Sequence, residues 1–233
     1  MPHRIITLVS FLVGIFFSIF ALAQEPDDCS LEFLGKARKA VKLRTQQDGA
    51  NYENYNEGNA ITVDEWHQLT CSADSQIPKK IPSASPIQGI ETRTVVLRGH
   101  VMAARYETGK SGDHDFHVQI GANPDWNTPQ VVVEIPPGPE YCDARKTLWQ
   151  LVKDDAGDAY RPKRNKYILN HPPEALVQGY VFLDSPHAGH CRNLQEAFCN
   201  CNGGRGITDS DHTNQVQGIW EIHPVLAITP VPQ

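Results

Sequence analysis

Five segments in the second half of the chain alternate apolar and polar positions with the period of two that marks a β-strand. They cover residues 94–106, 115–121, 130–135, 175–184 and 218–228. Between the third and fourth segments, Leu148, Leu151 and Val152 follow a helical spacing that predicts a helix over residues 141–153. Five strands with a helix in this position is the order of an OB-fold barrel. We therefore predict a mainly β fold with short helices (α+β), built on a small five-stranded OB-fold-like barrel. A small sandwich or another α+β arrangement is the alternative.

Residues 24–90 predict a helical and loop-rich N-terminal extension, ahead of a barrel domain over residues 91–233. Apolar residues at helical spacing indicate a short amphipathic helix within residues 30–44. Thr62, followed three residues later by Glu65, is a capping-box pattern that predicts the start of a second helix. A Pro- and Ser-rich linker closes the extension before the first strand of the barrel.

The first residues of the chain have the pattern of a secretory signal peptide. A short charged start precedes an apolar run over residues 5–22, and Ala21 and Ala23 form an A-x-A cleavage site. The alternative is an uncleaved anchor, because roughly 18 apolar residues can just span a bilayer. We predict a signal peptide over residues 1–23 and a mature protein that begins at Gln24. Such a protein is secreted or periplasmic and has no stable membrane span after cleavage.

The six cysteines all follow the predicted cleavage site: Cys29, Cys71, Cys142, Cys191, Cys199 and Cys201. Export to an oxidising compartment makes disulfides the first interpretation of an even number. Cys199 and Cys201 are too close for a comfortable mutual bridge, so each is expected to pair elsewhere. A zinc site that uses them with Cys191 or His190 is the alternative. A long insertion over residues 187–216 lacks clear periodicity, and loops of that length are usually functional or tied by disulfides.

Acidic and histidine side chains recur on the strand faces opposite the large apolar residues. They are Asp113, Asp115, His117, Glu134, His187, Glu221 and His223. Neighbouring strands lie about 4.8 Å apart, so residues of paired strands can reach one shared ion or water. We expect these side chains to converge as one polar site on the barrel.

Carboxylate oxygens and imidazole nitrogens together suit Zn²⁺, Mn²⁺ or Fe²⁺, and they also suit general acid–base chemistry. The predicted ligands of a divalent metal ion of undetermined identity are Asp113, Asp115, His117, Glu221 and His223. The predicted catalytic residues, which move the proton, are Glu134 and His187. The structural alternative is ordinary turn chemistry for the aspartates and a solvated strand face for the glutamates.

Four motifs resemble those of a family of bacterial exported proteins of unassigned function. They are Asp113-x-Asp115-x-His117, Glu134-Ile135-Pro136, Gly179 through Asp184 with His187, and Trp220-Glu221-Ile222-His223-Pro224-Val225. Segments 41–45 and 61–63 are also similar to that family, so the resemblance covers most of the mature chain. The insertion after His190 is longer and richer in cysteine than the family pattern. The resemblance implies a site on the strands and no established reaction.

Charge and motifs leave two classes of function. The net charge of −6 argues against a broad nucleic-acid surface, although a local basic cleft stays open. No motif strand carries a clear phosphate-clamping arginine, and Arg93, Arg98 and Arg105 are the nearest candidates. No glycine-rich phosphate loop or nucleophilic-serine elbow is present in the sequence. One class is a metal-dependent hydrolase, nucleases included, and the other is a non-catalytic ligand-binding, ion-binding or structural module.

Overall fold

The computed structural model describes residues 29–45, 57–108, 113–161, 165–201 and 204–232. Its strands are β1 (Ala60–Ile61), β2 (Thr94–Tyr106), β3 (Phe116–Gly121), β4 (Gln130–Ile135), β5 (Lys166–Ile168), β6 (Glu174–Leu183) and β7 (Val216–Pro230). Its α-helices are α1 (Lys39–Lys42), α2 (Val63–Asp74), α3 (Cys142–Ala156) and α4 (Ser185–Leu194). Short 3-10 turns lie at Glu57–Asn59, Pro139–Tyr141 and Gly157–Ala159.

Five of the strands close into a mixed barrel in the order β2-β3-β4-β7-β6, and β6 pairs back to β2. The β4–β7 pair is parallel, whereas the other barrel pairs are antiparallel. Helix α3 connects β4 to the second half of the barrel. This is the OB-fold arrangement, so the predicted fold class is confirmed. The two extra strands, β1 and β5, pair with β2 outside the ring.

Every second residue of the barrel strands points into the apolar core. Val118 and Ile120 of β3 and Val133 of β4 belong to one hydrophobic cluster with the apolar side of α3. Phe116 stacks on Trp149 of α3 with ring centroids 5.3 Å apart. The residues between them therefore lie on the face of the barrel that points away from this core.

The N-terminal extension agrees with the prediction at α2 and differs at the first helix. Thr62 and Glu65 form the predicted capping box at the start of α2. The helix expected within residues 30–44 is reduced to the four residues of α1, because Arg38 just before it adopts a left-handed conformation (φ 53°). That conformation lets the Arg38 guanidinium pair with buried Glu91, so tertiary contacts override the local helical preference.

Three disulfides connect Cys29 to Cys142, Cys71 to Cys199, and Cys191 to Cys201. Cys199 and Cys201 each pair elsewhere, as predicted. The alternative zinc site at these cysteines is wrong, because all of its thiols are oxidised. The insertion predicted over residues 187–216 begins inside α4, whereas its described part after α4 is irregular until β7.

The predicted signal peptide lies outside the described residues and stays a prediction. Within the described ranges, no helix combines the length and the apolar character needed to cross a membrane. The three disulfides fit an oxidising compartment. The boundary predicted near residue 90 between extension and barrel also stays a prediction.

Candidate functional site

A polar cluster occupies the face of β3, β4 and β7 that points away from the apolar core. Register places His117 of β3 opposite Glu134 of β4. On the other side of β4, Val132 pairs with Glu221 of β7, which puts Glu221 on the same face as Glu134. His223, two residues after Glu221, therefore lies beside Glu134.

Two irregular segments cover this face, and they explain why the cluster is buried. The N-terminal segment, residues 31–45, places the Nζ of Lys42 3.5 Å from Glu134 Oε2 and 3.8 Å from Asp113 Oδ2. The loop over residues 204–207 buries Arg205 among the carboxylates, and the Ile207 N–H donates to Gln119 Oε1 at 2.9 Å. Side chains on the outside of the barrel are thereby removed from solvent.

Glu134 is the hub of the cluster. Its Oε1 lies 3.2 Å from His117 Nδ1, and its Oε2 lies 2.8 Å from His223 Nδ1. Arg205 Nη2 and Lys42 Nζ approach the same carboxylate at 3.5 Å each. Burial alone would raise the pKa of Glu134, but Lys42 and the two histidines outweigh it and hold this pKa well below its usual range. Glu134 is therefore ionised.

Arg205 links the remaining acids. It pairs with Glu221, and its Nε lies 3.3 Å from Asp184 Oδ2. Asp184 also accepts a hydrogen bond from Nδ1 of His187 on α4. Burial raises the pKa of Asp184, but Arg205 and His187 outweigh that effect and the net shift is downward. His187 is thus oriented by an ionised, buried carboxylate while its side chain remains 41 % exposed.

Asp115 differs from Glu134 and Asp184 because no donor group pairs with its carboxylate. It is 1 % exposed, and neither of its carboxylate oxygens receives a hydrogen bond from a donor group. Burial, Glu134 and Asp113 raise the pKa of Asp115 well above its usual range, and the opposing effect of Lys42 is smaller. Asp115 and Asp113 can hydrogen-bond to each other only by sharing a proton.

Asp115, Glu134 and His223 each offer a ligand atom, and these atoms lie within 4.8 Å of one another. This buried group could hold a metal ion. His117 and His223 both direct Nδ1 at a carboxylate, and their Nε2 atoms are buried without a hydrogen-bond partner. A carboxylate behind a histidine is the usual support of a metal-binding imidazole.

The charge balance of the cluster also favours a cation. Five carboxylates gather here, on Asp113, Asp115, Glu134, Asp184 and Glu221. Two permanent cations, Lys42 and Arg205, face them, so full ionisation leaves a formal charge of −3. A divalent ion would offset most of that excess.

A cleft of about 680 Å³ leads from solvent to the cluster. Asp115, His117 and Glu134 lie in its lining together with both cations and with His187. Leu34 and Pro186 add apolar surface to the lining. A small molecule can therefore reach the cluster from outside.

No protein-family model matches this chain, and no curated protein or solved structure is significantly similar to it. The function must therefore be argued from the site itself.

The structure brings the predicted site residues together. Asp113, Asp115, His117, Glu134, Glu221 and His223 form one connected cluster, and His187 joins its edge through Asp184. The metal-binding and catalytic roles predicted for them stay predictions.

Sequence reasoning missed the two cations of the cluster. Lys42 lies among the basic residues of the N-terminal segment, where nothing in the spacing marks one side chain as facing inward. Arg205 lies in the cysteine-rich insertion, where no periodicity indicated which side chain turns inward. Of the arginines nearest the motif strands, Arg93, Arg98 and Arg105, only Arg105 lines the cleft.

Proposed function

We propose that the protein is an exported hydrolase that depends on a divalent metal ion held by Asp115, Glu134 and His223. The observation that carries the proposal is the buried Asp115 carboxylate, which has no donor partner and lies within ligand distance of the other two residues. An unpartnered buried carboxylate is costly, and a bound cation removes the cost. The open cleft makes the same ion accessible to a substrate.

The other predicted ligands support this set. Glu221 accepts from His223 Nδ1 at 3.2 Å and so orients the imidazole beside Glu134. His117 is held by Glu134 in the same manner. Asp113, which is partly exposed at the cleft, completes the acidic surroundings of Asp115.

His187 is the proton acceptor in this proposal. Its Nδ1 is fixed by Asp184, so the opposite side of the ring is free to take a proton from water in the cleft. A metal ion held by Asp115, Glu134 and His223 would lower the pKa of that water. The water oxygen attacks the ester centre, the bond to the leaving oxygen breaks, and the proton passes from His187 to that oxygen. Glu134 is ionised and contacted by four cationic or imidazole groups, which suits a ligand better than a base.

A second candidate function is a non-catalytic ion-binding or bracing module. Its supporting observation is that Glu134 and Glu221 are already paired with Lys42 and Arg205, which come from the two covering segments. In this view the network fastens those segments to the barrel. Such buried networks are costly to break even where no ligand binds.

Metal binding is the first test. Elemental analysis of the purified mature protein before and after chelation, followed by calorimetric titration with Zn²⁺ and Mn²⁺, should show one tight site. Asp115→Asn should weaken that site at least about a hundredfold, because it removes the charged ligand. Asp64→Asn, on the exposed face of α2, is the matched control and should change nothing. Equal metal affinity in wild type and Asp115→Asn would overturn the proposal.

Hydrolysis is the second test. Metal-loaded protein should cleave chromogenic esters, and His187→Gln should lower kcat about a hundredfold without loss of metal. A protein that binds the ion tightly but cleaves no ester of carboxylic, phosphoric or sulfuric acid supports the binding module instead.

Export is supported by the Ala-Leu-Ala sequence and by the three disulfides. Mass spectrometry of secreted material should find Gln24 at the N-terminus. Secreted protein that retains residues 1–23 would contradict cleavage.

A further inference from the structure

We infer that the substrates of this site are phosphate esters, held by Lys42 and Arg205, which approach different oxygens of Glu134. The inference rests on the proposed metal-dependent hydrolase and adds its substrate class. It is carried by unused donor groups at the two buried cations.

Arg205 has a donor without an acceptor. Its Nε and Nη2 bind Asp184, Glu221 and Glu134, but Nη1 is buried and has no hydrogen-bond partner. Arg205 is 4 % exposed and lines the cleft. A buried donor that lacks an acceptor is destabilising, and an anionic oxygen that entered from the cleft beside Arg205 would satisfy it.

Lys42 has donor capacity to spare on the other covering segment. Its contacts with Glu134 and Asp113, at 3.5 and 3.8 Å, are longer than the 2.7–3.2 Å of well-formed N–H···O bonds. Its ammonium group carries three N–H donors and lies 5.6 Å from the centroid of the Phe182 ring. The group can therefore turn toward an oxygen in the cleft while it keeps its position over Phe182.

A phosphoryl group matches this arrangement better than an acyl group. An ester carbonyl develops negative charge on one oxygen, which a metal or a single donor can stabilise. A phosphate ester carries several charged non-bridging oxygens around phosphorus, and a metal with flanking Lys and Arg side chains is the usual way to bind them. The motif strands carry no clear phosphate-clamping arginine, and Lys42 and Arg205 supply the cations from outside those strands.

The charge of the cleft makes phosphate binding depend on the metal. Five acidic and four basic side chains line it, a formal balance of −1 that becomes +1 with a divalent ion. An anionic ester is therefore expected to bind more weakly in the metal-free cleft than in the loaded one. In the reaction, a water oxygen bonds to phosphorus, the bond from phosphorus to the alcohol oxygen breaks, and that oxygen takes the water proton through His187.

Inorganic phosphate is the probe for the first experiment. Calorimetric titration should show saturable binding to Mn²⁺-loaded protein and at least about tenfold weaker binding to chelated protein. Phosphate should also inhibit hydrolysis competitively. Failure of phosphate to bind the loaded protein would overturn the inference.

Substitutions then test the two cations. Arg205→Lys keeps the charge beside Glu221 but loses the Nη1 donor, and should weaken phosphate binding about tenfold with metal affinity nearly unchanged. The control is Arg98→Lys on the barrel surface, whose partner is Glu174, and it should leave phosphate binding unchanged. Equal losses in the two variants would contradict a role for Arg205.

Lys42→Met is an independent test, and it remains informative if the Arg205→Lys variant does not fold. Removal of this positive charge should weaken phosphate binding about tenfold while metal binding becomes tighter, because one cation near the ion is gone. If Lys42 only braced the covering segment, Lys42→Met would weaken metal binding and phosphate binding together, and that outcome overturns the inference.

The two proposals fail in different ways. A protein that binds metal and cleaves carboxylic esters but neither binds phosphate nor cleaves its esters keeps the hydrolase and loses the phosphate class. A protein that binds no metal loses both.

Discussion

At the scale of single residues, Asp115 combines almost complete burial with two carboxylate oxygens that receive no hydrogen bond. Strand parity predicted its place on the polar face, because alternation is a local property of the sequence. Its raised pKa was beyond prediction, since that depends on burial beneath the two covering segments and on Asp113 and Glu134 nearby. The same limit applies to Glu134, whose pKa shifts the other way only because Lys42 and two histidines surround it.

The raised pKa of Asp115 predicts a pH-dependent stability. The folded protein binds this proton more tightly than the unfolded chain, whose carboxyl titrates near the ordinary value of 3.8. The contribution of Asp115 to the free energy of unfolding therefore falls as pH rises above that value, until the folded carboxyl is itself ionised. In chelator, Asp115→Asn should gain stability relative to wild type as the pH rises above 3.8 toward the raised folded pKa of Asp115, measured by urea unfolding. A difference that does not depend on pH would refute this account.

Gly179 is a residue whose small size the fold requires. A Cβ atom there would lie 2.4 Å from the Pro224 carbonyl oxygen and 2.5 Å from Ile222 Cγ2, where β7 crosses close to β6. Gly179→Ala should therefore lower the free energy of unfolding by about 1–3 kcal/mol in urea titrations. Gly189→Ala, on the exposed side of α4 with nothing within 4 Å of the new atom, is the control. It should be neutral or raise stability by up to about 1 kcal/mol.

At the scale of elements, strands were predicted more reliably than irregular segments. The five barrel strands lie within about two residues of their predicted bounds, because burial of one face imposes a period that the sequence displays. The predicted α3 was found for the same reason. The helix predicted within residues 30–44 is mostly absent because the segment follows an irregular path over the barrel. Arg38 in this segment is held by Glu91 rather than by helical hydrogen bonds. Local spacing contains no information about that partner.

The start of α2 offers a prediction about an element boundary. The Thr62 hydroxyl accepts from the Glu65 N–H at 3.2 Å, and the Glu65 carboxylate accepts from the Thr62 N–H at 2.7 Å. Thr62→Ala should cost about 1 kcal/mol of unfolding free energy, because the first turn loses its cap. Ser72→Ala, exposed in the last turns of the same helix, is the control and should stay within about 0.5 kcal/mol. Similar values for the two variants would show that the cap contributes little.

At the scale of the whole molecule, the site is assembled from parts of different origin. The barrel strands supply Glu134 and His223, and Asp115 is the residue immediately before β3. The covering segments supply Lys42 and Arg205. The Cys29–Cys142 disulfide fixes the chain just before the N-terminal segment, and the Cys191–Cys201 disulfide fixes the chain just before Arg205. The first set could be predicted from alternation. The second depends on disulfide pairing and loop path, which no spacing in the sequence encodes.

Because the barrel supplies the proposed metal ligands and the covering segments supply the cations, we predict that loss of a disulfide changes metal affinity and phosphate affinity differently. Cys191→Ala with Cys201→Ala frees the turn between α4 and Arg205, and so loosens both His187 and Arg205. The closed loop spans 10 residues, so its release should lower the free energy of unfolding by about 3 kcal/mol. Metal affinity should change little, because Asp115, Glu134 and His223 belong to the barrel. Phosphate affinity and kcat should fall at least about tenfold, because the donor and the proton acceptor lose their fixed positions.

Calorimetry with Mn²⁺ and phosphate on the same double variant checks both expectations, and circular dichroism establishes that it is folded. Thiol titration in denaturant should find about zero free thiols in wild type and in the variant, which confirms that the other two disulfides remain. A variant that loses metal and phosphate together would show that the cover and the barrel form one inseparable site. A variant that keeps both affinities would show that the path of the loop is held without the Cys191–Cys201 bridge, through the Arg205 pairs with Glu221 and Asp184 alone.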